Sequence, residues 1–151
     1  MTPPAAASAL KAVSDIRGSV SPEEWQTRVD LAAAYRLVAH YGWDDLIFTH
    51  ISARVPGPDE HFLINPYGWM FHEITASSLV KIDLDGNIVS KTDQIINPAG
   101  FTIPSAVHAA RHDVGCVLHL HTGDGIAVSA QAEGLLPLSQ TAMVALSNLS
   151  Y

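Results

Sequence analysis

The sequence predicts an α/β domain, and three observations carry that reading. A strongly capped helix signal stands after residue 20, and β-type apolar runs follow at 48–55, 62–64 and 79–84. A further apolar run, Val114 to His121, lies between two helical segments. The chain has 151 residues, 48% hydrophobic and 15% charged, enough to bury a sizeable core and unlike a disordered composition.

Met1 to Ser19 is rich in Ala, Pro and Ser, and its only basic residues are Lys11 and Arg17. It lacks the apolar centre of a signal peptide, so residues 1–20 read as a flexible arm with a short helix near Ala5 to Val13. Residues 21–151 read as the domain. Ser21-Pro22-Glu23-Glu24 combines a cap, a first-turn proline and an acid three after the cap. The helix it opens is expected to run to Tyr41 and stop at Gly42, with Trp25, Val29, Ala32, Ala33 and Leu37 facing the core.

Two antiparallel strands are expected at Phe48–Val55 and Phe62–Ile64, joined through Pro56-Gly57-Pro58-Asp59. Leu79–Leu84 reads as a strand turning at Asp85-Gly86-Asn87 into Ile88 and Val89. Asp83 and Asp85 therefore read as turn formers rather than an acid/base pair. Asn97-Pro98-Ala99-Gly100 reads as a loop before a helix at Ser105–Arg111, with Pro104 in its first turn. Gly123-Asp124-Gly125 is expected to turn into a short helix, Ile126–Ala132, closed by Gly134. The segment from Leu135 to Tyr151 has no decisive signal.

The net charge of −7 lacks the basic footprint that nucleic acid or an anionic membrane surface requires. No apolar run approaches the roughly 20 residues that span a bilayer. The single cysteine, Cys116, excludes an intrachain disulfide and suits a reducing, cytoplasmic setting. Its apolar neighbours predict a buried structural thiol.

The sharpest chemical feature is Leu118-His119-Leu120-His121. On a strand, residues i and i+2 share a face about 6.6–7 Å apart, so two imidazoles there can converge on one ion while Leu118 and Leu120 enter the core. Two hydrogen-bonded histidines would give the same pattern, and zinc wants three or four protein ligands, or three plus water. His108, on the helix before this strand, reads as a supporting partner or substitute ligand. His61 and His112 read as solvated, and His40 as a helix-end residue.

Several segments together carry a resemblance: Thr49-His50-Ile51-Ser52-Ala53-Arg54-Val55-Pro56-Gly57, Phe62-Leu63-Ile64-Asn65-Pro66-Tyr67-Gly68, Glu73-Ile74-Thr75-Ala76-Ser77, Asp83-Leu84-Asp85-Gly86-Asn87, Asn97-Pro98-Ala99-Gly100-Phe101, and His119-Leu120-His121-Thr122 with Ala127-Val128-Ser129-Ala130. Collinear from about Trp25 onward, they resemble the class II aldolase/adducin family. The resemblance implies a three-layer αβα fold with a largely antiparallel or mixed central sheet, and a homo-oligomer, commonly a tetramer, with sites at subunit interfaces. It implies a divalent metal, zinc with manganese or iron as alternatives, held by His119 and His121 plus a third, later histidine. It assigns the substrate's anionic group to His50, Ser52, Tyr67 and Gly68, with the loop at Ala99 and Gly100 also in the site.

Three departures from the family's aldolases stand out. Counting back from His119, the position of their catalytic glutamate falls near Gly100, in Asn97-Pro98-Ala99-Gly100, and Glu73 lies on another segment and is no substitute. Pro104 stands where a histidine is usual. The sequence ends at Tyr151, before the segment of the third histidine, so the domain is expected to be C-terminally incomplete. The Asn-Pro-Ala-Gly loop is typical of the adducin-like branch. Two functions follow as expectations. One is metal-dependent aldehyde-lyase chemistry on a small hydroxy-carbonyl compound. The other is a non-catalytic adducin-like assembly module or an inactive remnant.

Overall fold

The computed structural model describes residues 14–150, and the helix expected near Ala5 to Val13 lies outside them. The chain comprises two compact units, Met1–Leu120 and His121–Tyr151.

In the first unit, helix α1 (Pro22–Tyr41) begins and ends where its caps dictate. Ser21 Oγ accepts from Glu24 N–H at 3.1 Å, and Gly42 closes the helix in the left-handed region with φ +66°. Its buried face differs from the expected stripe: Glu24, Arg28, Leu31, Ala32, Tyr35 and Val38 are buried, whereas Val29, Ala33 and Leu37 are exposed. The discrepancy has an electrostatic cause. Glu24 accepts from Arg28 Nε at 2.9 Å and from Lys81 Nζ at 2.8 Å, and Arg28 also donates to the Leu79 carbonyl at 2.7 Å. A charged network thus takes helix positions that an apolar count assigns to solvent. The two cations hold the Glu24 carboxyl below its ordinary value despite an opposing burial effect.

The sheet has four antiparallel strands in the order β3-β2-β1-β4: β1 His50–Arg54, β2 Phe62–Ile64, β3 Val80–Ile82 and β4 Cys116–His119. Asp83 Oδ1 accepts from the amides of Asp85 and Asn87 at 3.0 and 2.8 Å, so the turn after β3 is built as the sequence predicts. Helix α1 packs on one face over Ile51, Ala53, Leu63, Trp69, Phe71, Ile74 and Leu79. Helix α2 (Pro98–Ala110) lies against the other face of the sheet at β1 and β4, and on that face Phe62 and Ile64 of β2 and Val80 and Ile82 of β3 are buried with Phe101 and Ile96 packed on them. Helix, sheet, helix is the three-layer arrangement expected.

Helix α2 starts earlier than its proline suggests. Asn97 is a cap rather than part of a loop, its Oδ1 accepting from Ala99 N–H at 3.1 Å, and Pro98 opens the first turn. Pro104 is therefore inside the helix, and having no N–H it gives nothing to the Gly100 carbonyl four residues back. Strand β4 is shorter than the apolar run, because β1 begins at His50 and the ladder ends at its partner His119. Cys116 is exposed rather than buried, although partial desolvation still raises its thiol. Leu118 is half exposed, and only Leu120 packs on the α1-side core.

In the second unit, Thr122 caps α3 (Gly123–Ser129) and Ser139 caps α4 (Gln140–Leu146). The Gly123-Asp124-Gly125 segment is the first turn of α3, not a turn preceding it, because the Thr122 hydroxyl accepts from Gly125 N–H at 3.2 Å.

Glu24→Ala leaves the fully buried Arg28 guanidinium short of its counter-charge, and is expected to cost about 3–5 kcal/mol in urea unfolding. The double variant Glu24→Leu/Arg28→Met recovers most of that loss.

Candidate functional site

Pleating sorts the residues of β1 between two environments. Ile51 and Ala53 face α1, while His50, Ser52 and Arg54 face α2. Opposite them, His119 is the register partner of His50, and Val117 that of Ser52. Two histidines, His50 and His119, thereby come to the α2 side of the sheet, and His108 of α2 faces them from the helix.

His50 is buried, and its ring meets that of His119 edge to face, with centroids 4.8 Å apart and an interplanar angle of 77°. Nε2 of His50 and Nδ1 of His119 are both shielded from solvent. Gly100, in the first turn of α2, approaches the same ring: a Cβ at position 100 would lie 3.3 Å from His50 Nδ1. Beside them is a notch of about 10 Å³, on the order of one water molecule, lined by Ile47, Thr49, His50, Ile64, Asn65, Tyr67, Asn97 and Gly100.

His108 is fully buried. Its Nε2 is hydrogen-bonded to Ser52 Oγ at 2.9 Å, and its ring stacks on Phe62 at 4.3 Å. Arg54 completes this column, donating to the His108 carbonyl at 2.7 Å with its guanidinium 5.0 Å from the Phe62 ring centroid. Burial, reinforced by the Arg54 charge, pushes the His108 imidazole below its ordinary value.

Of the residues predicted for substrate binding, His50, Tyr67 and Gly100 line the notch. Ser52 is buried with its hydroxyl engaged by His108. Gly68 lies in an exposed loop at φ +78°, a conformation that favours glycine, and Ala99 is exposed with its amide engaged by Asn97. Glu73 is buried on a separate 3-10 turn, Phe71–Glu73, where Oε2 accepts from Met70 N–H at 2.8 Å. His112 pairs with Glu60 at 2.8 Å on the surface. Sequence reasoning missed Asn65 and Thr49 in the notch, and it did not pair His50 with His119. The tyrosine bond that holds Asn65, from Tyr35 Oη to Oδ1 at 2.8 Å, leaves no sequence signal.

Among the described residues, no group of three or more His, Cys, Asp or Glu side chains is placed to hold a metal ion. Imidazole is a donor that suits zinc, iron and similar ions, and two imidazole rings, those of His50 and His119, lie edge to face here.

The family model of the class II aldolase and adducin N-terminal domain matches residues 29–150. The chain belongs to this family. A Caulobacter vibrioides protein named among the class 2 aldolases is 67% identical over 136 residues, 90% of this chain and 53% of its own. Mouse alpha-adducin is 49% identical over 145 residues, 92% of this chain and 20% of its own. An aldolase II superfamily protein from Pseudomonas syringae superposes with a TM-score of 0.85 at 61% identity, covering 89% of this chain and 54% of that one. L-fuculose 1-phosphate aldolase from Glaciozyma antarctica superposes at 0.77 with 30% identity, covering 91% and 56%. The class II aldolase fold is thereby established. The chain spans about half the length of the curated class 2 aldolase relatives it matches.

His108 makes stability depend on pH in a defined direction. The fold favours its neutral ring, so stability is complete above the ordinary value of 6.5 and declines as pH falls below it, until the lower folded-state value is passed. In urea unfolding from pH 7.5 to 5, the stability advantage of the wild type over His108→Gln is expected to shrink as pH falls.

Proposed function

We propose that this chain carries the metal-binding part of a carbonyl lyase of the class II aldolase type, with His119 and His121 as ligands. The substrate is a small hydroxy-carbonyl compound, sugar phosphates being one candidate class, and the protein works as a cytoplasmic homo-oligomer. The observation that supports this reading is the position of His119. It ends the central-sheet strand β4, against His50 and beside the notch at the head of α2. His121 follows two residues on, past the end of the strand.

A divalent ion, zinc or alternatively manganese or iron, supplies Lewis acidity toward a carbonyl oxygen when bound. The chain's own groups orient the substrate. Asn65 and Asn97 present amide dipoles to the notch, although Oδ1 of Asn65 is fixed by Tyr35 and Oδ1 of Asn97 by the α2 cap. Tyr67 and the Gly68 amide, on an exposed loop held by Tyr67 N–H donating to Ile95 O at 2.8 Å, receive the anionic end. Ser52 acts at one remove, through His108.

A second reading, a non-catalytic adducin-like module, is favoured by one feature. Position 100 carries no carboxylate, and a side chain there presses on the His50 ring.

Elemental analysis of the purified protein is expected to give near one metal per chain, lost in the double variant His119→Ala/His121→Ala. The metal-loaded protein is then expected to cleave at least one member of a sugar-phosphate panel. Metal without turnover across the panel favours the module, and no metal after incubation with zinc, manganese or iron ends the lyase reading. Gly100→Glu alone is expected to create no new turnover and to lower stability by about 1–3 kcal/mol, because it overpacks against His50.

A further inference from the structure

We propose that the cleft between α1 and β3 binds a small organic phosphate, with the phosphate group held at Lys91 and Ser90. The cleft lies wholly in the first unit and shares no residue with the notch beside His50.

The cleft has two adjoining lobes, of about 220 and about 490 Å³, which share Ile16, Ser19, Ser90 and Lys91. Together they offer the space that a small-molecule ligand needs. Ile16, Val20 and Val89 give the smaller lobe an apolar wall.

Charge selects the ligand. Arg28, Lys81 and Lys91 line the smaller lobe together with one carboxylate, Glu24. Both oxygens of that carboxylate are already occupied, Oε1 at 2.8 Å from Arg28 Nη2 and Oε2 at 2.8 Å from Lys81 Nζ. Two cations against one carboxylate leave a net positive charge, and the Arg28 share of it is fully buried. Lys91 adds another cation, and among the described residues no ion pair engages it. The larger lobe brings one more acid, Asp93, so the cleft as a whole stays cationic in a chain of net charge −7. A concave site with low-dielectric walls concentrates ions of the opposite sign. A phosphate monoester, close to doubly negative at neutral pH, matches the excess in the smaller lobe.

The hydroxyl groups divide the neutral contacts. Ser90 Oγ accepts from Lys81 N–H at 3.2 Å, which anchors the oxygen beside β3 and leaves its own proton to donate. Ser19 already donates to the Ile16 carbonyl at 2.8 Å, so it offers an acceptor to a hydroxyl on the ligand. An ammonium and a hydroxyl donor suit a phosphate, and the apolar wall suits the carbon skeleton attached to it.

The test titrates the full, isotope-labelled chain with inorganic phosphate and with glycerol phosphate at low ionic strength, following backbone amide shifts by NMR. Shifts centred on Ser19, Lys81, Ser90 and Lys91 are expected. Affinity is expected to fall at least about tenfold in Lys91→Glu, whose reversed charge faces a dianion. Arg111→Glu changes the net charge equally at an exposed position on the end of α2, and is expected to stay within about twofold of the wild type. Equal weakening in the two variants, or weakening in neither, overturns the proposal. So do shifts confined to Tyr67, Gly68, Asn97 and Gly100, which place the anion at the notch and leave the lyase reading standing. The absence of shifts with either compound overturns it as well. Glycerol phosphate is expected to bind more tightly because its carbon end meets Ile16, Val20 and Val89, and a preference for inorganic phosphate overturns the organic ligand.

Discussion

The register of β1 against β4 is the constraint on which the candidate site depends. With His50 opposite His119, the odd residues of β1 enter the α1-side core and the even ones meet α2. A slip of one residue would send Ile51 toward His108 and His50 into the packing around Tyr35. Tyr35 opposes that slip. Its hydroxyl accepts from Ile51 N–H at 2.9 Å and from Asn65 N–H at 3.2 Å, and its single proton lies between Asn65 Oδ1 and the Ile51 carbonyl. One buried phenol on α1 thus ties the backbone of β1 to the residue that follows β2. Burial raises this phenol's ionisation far above its ordinary value, so it remains an uncharged donor at any physiological pH.

The two faces of the sheet handle buried polarity differently. On the α1 side a carboxylate lies between two cations, and Lys81 reaches it because β3 presents that residue to the same face as Leu63. On the α2 side the polar groups are imidazoles, which can remain neutral and need no counter-charge. His108 is satisfied by Ser52 and by stacking on Phe62, an arrangement that orders the middle of the sheet face. His50 lies one pleat further along, lining the notch, with the His119 ring against it. The first arrangement stabilises the fold through opposed charges, and the second packs imidazole rings against one another and against Phe62.

What the sequence revealed follows the range of the interactions involved. Ser21, Pro22, Gly42 and Asp83 act through bonds within a few residues, and α1 and the turn after β3 are where those residues place them. Collinear segments identified the fold because a family's loops and strands keep their order. The stripe on α1 was misread because Glu24 and Arg28 are buried through Lys81, more than fifty residues away. The start of α2 was misread because Pro104 was taken for a first-turn proline, whereas the Asn97 cap and Pro98 already supply that turn. The pairing of His50 with His119 depends on a register between strands far apart in the chain, and no local pattern encodes it.

Position 100 links family membership to chemistry. The resemblance to aldolases leads one to look for a carboxylate at the head of α2, and the chain has glycine there. Taken alone, that is a loss. Beside His50 it is an exchange, because the space a side chain would need is bounded by an imidazole 3.3 Å from where Cβ would stand. Any side chain at 100 would require the His50 ring to shift by a few tenths of an ångström. Glycine at 100 leaves this corner, beside the His50–His119 ring pair, to the imidazole. Relatives that share the fold but fill this corner differently can therefore differ in reaction without differing in architecture, which is why the site, and not the fold, must decide the function.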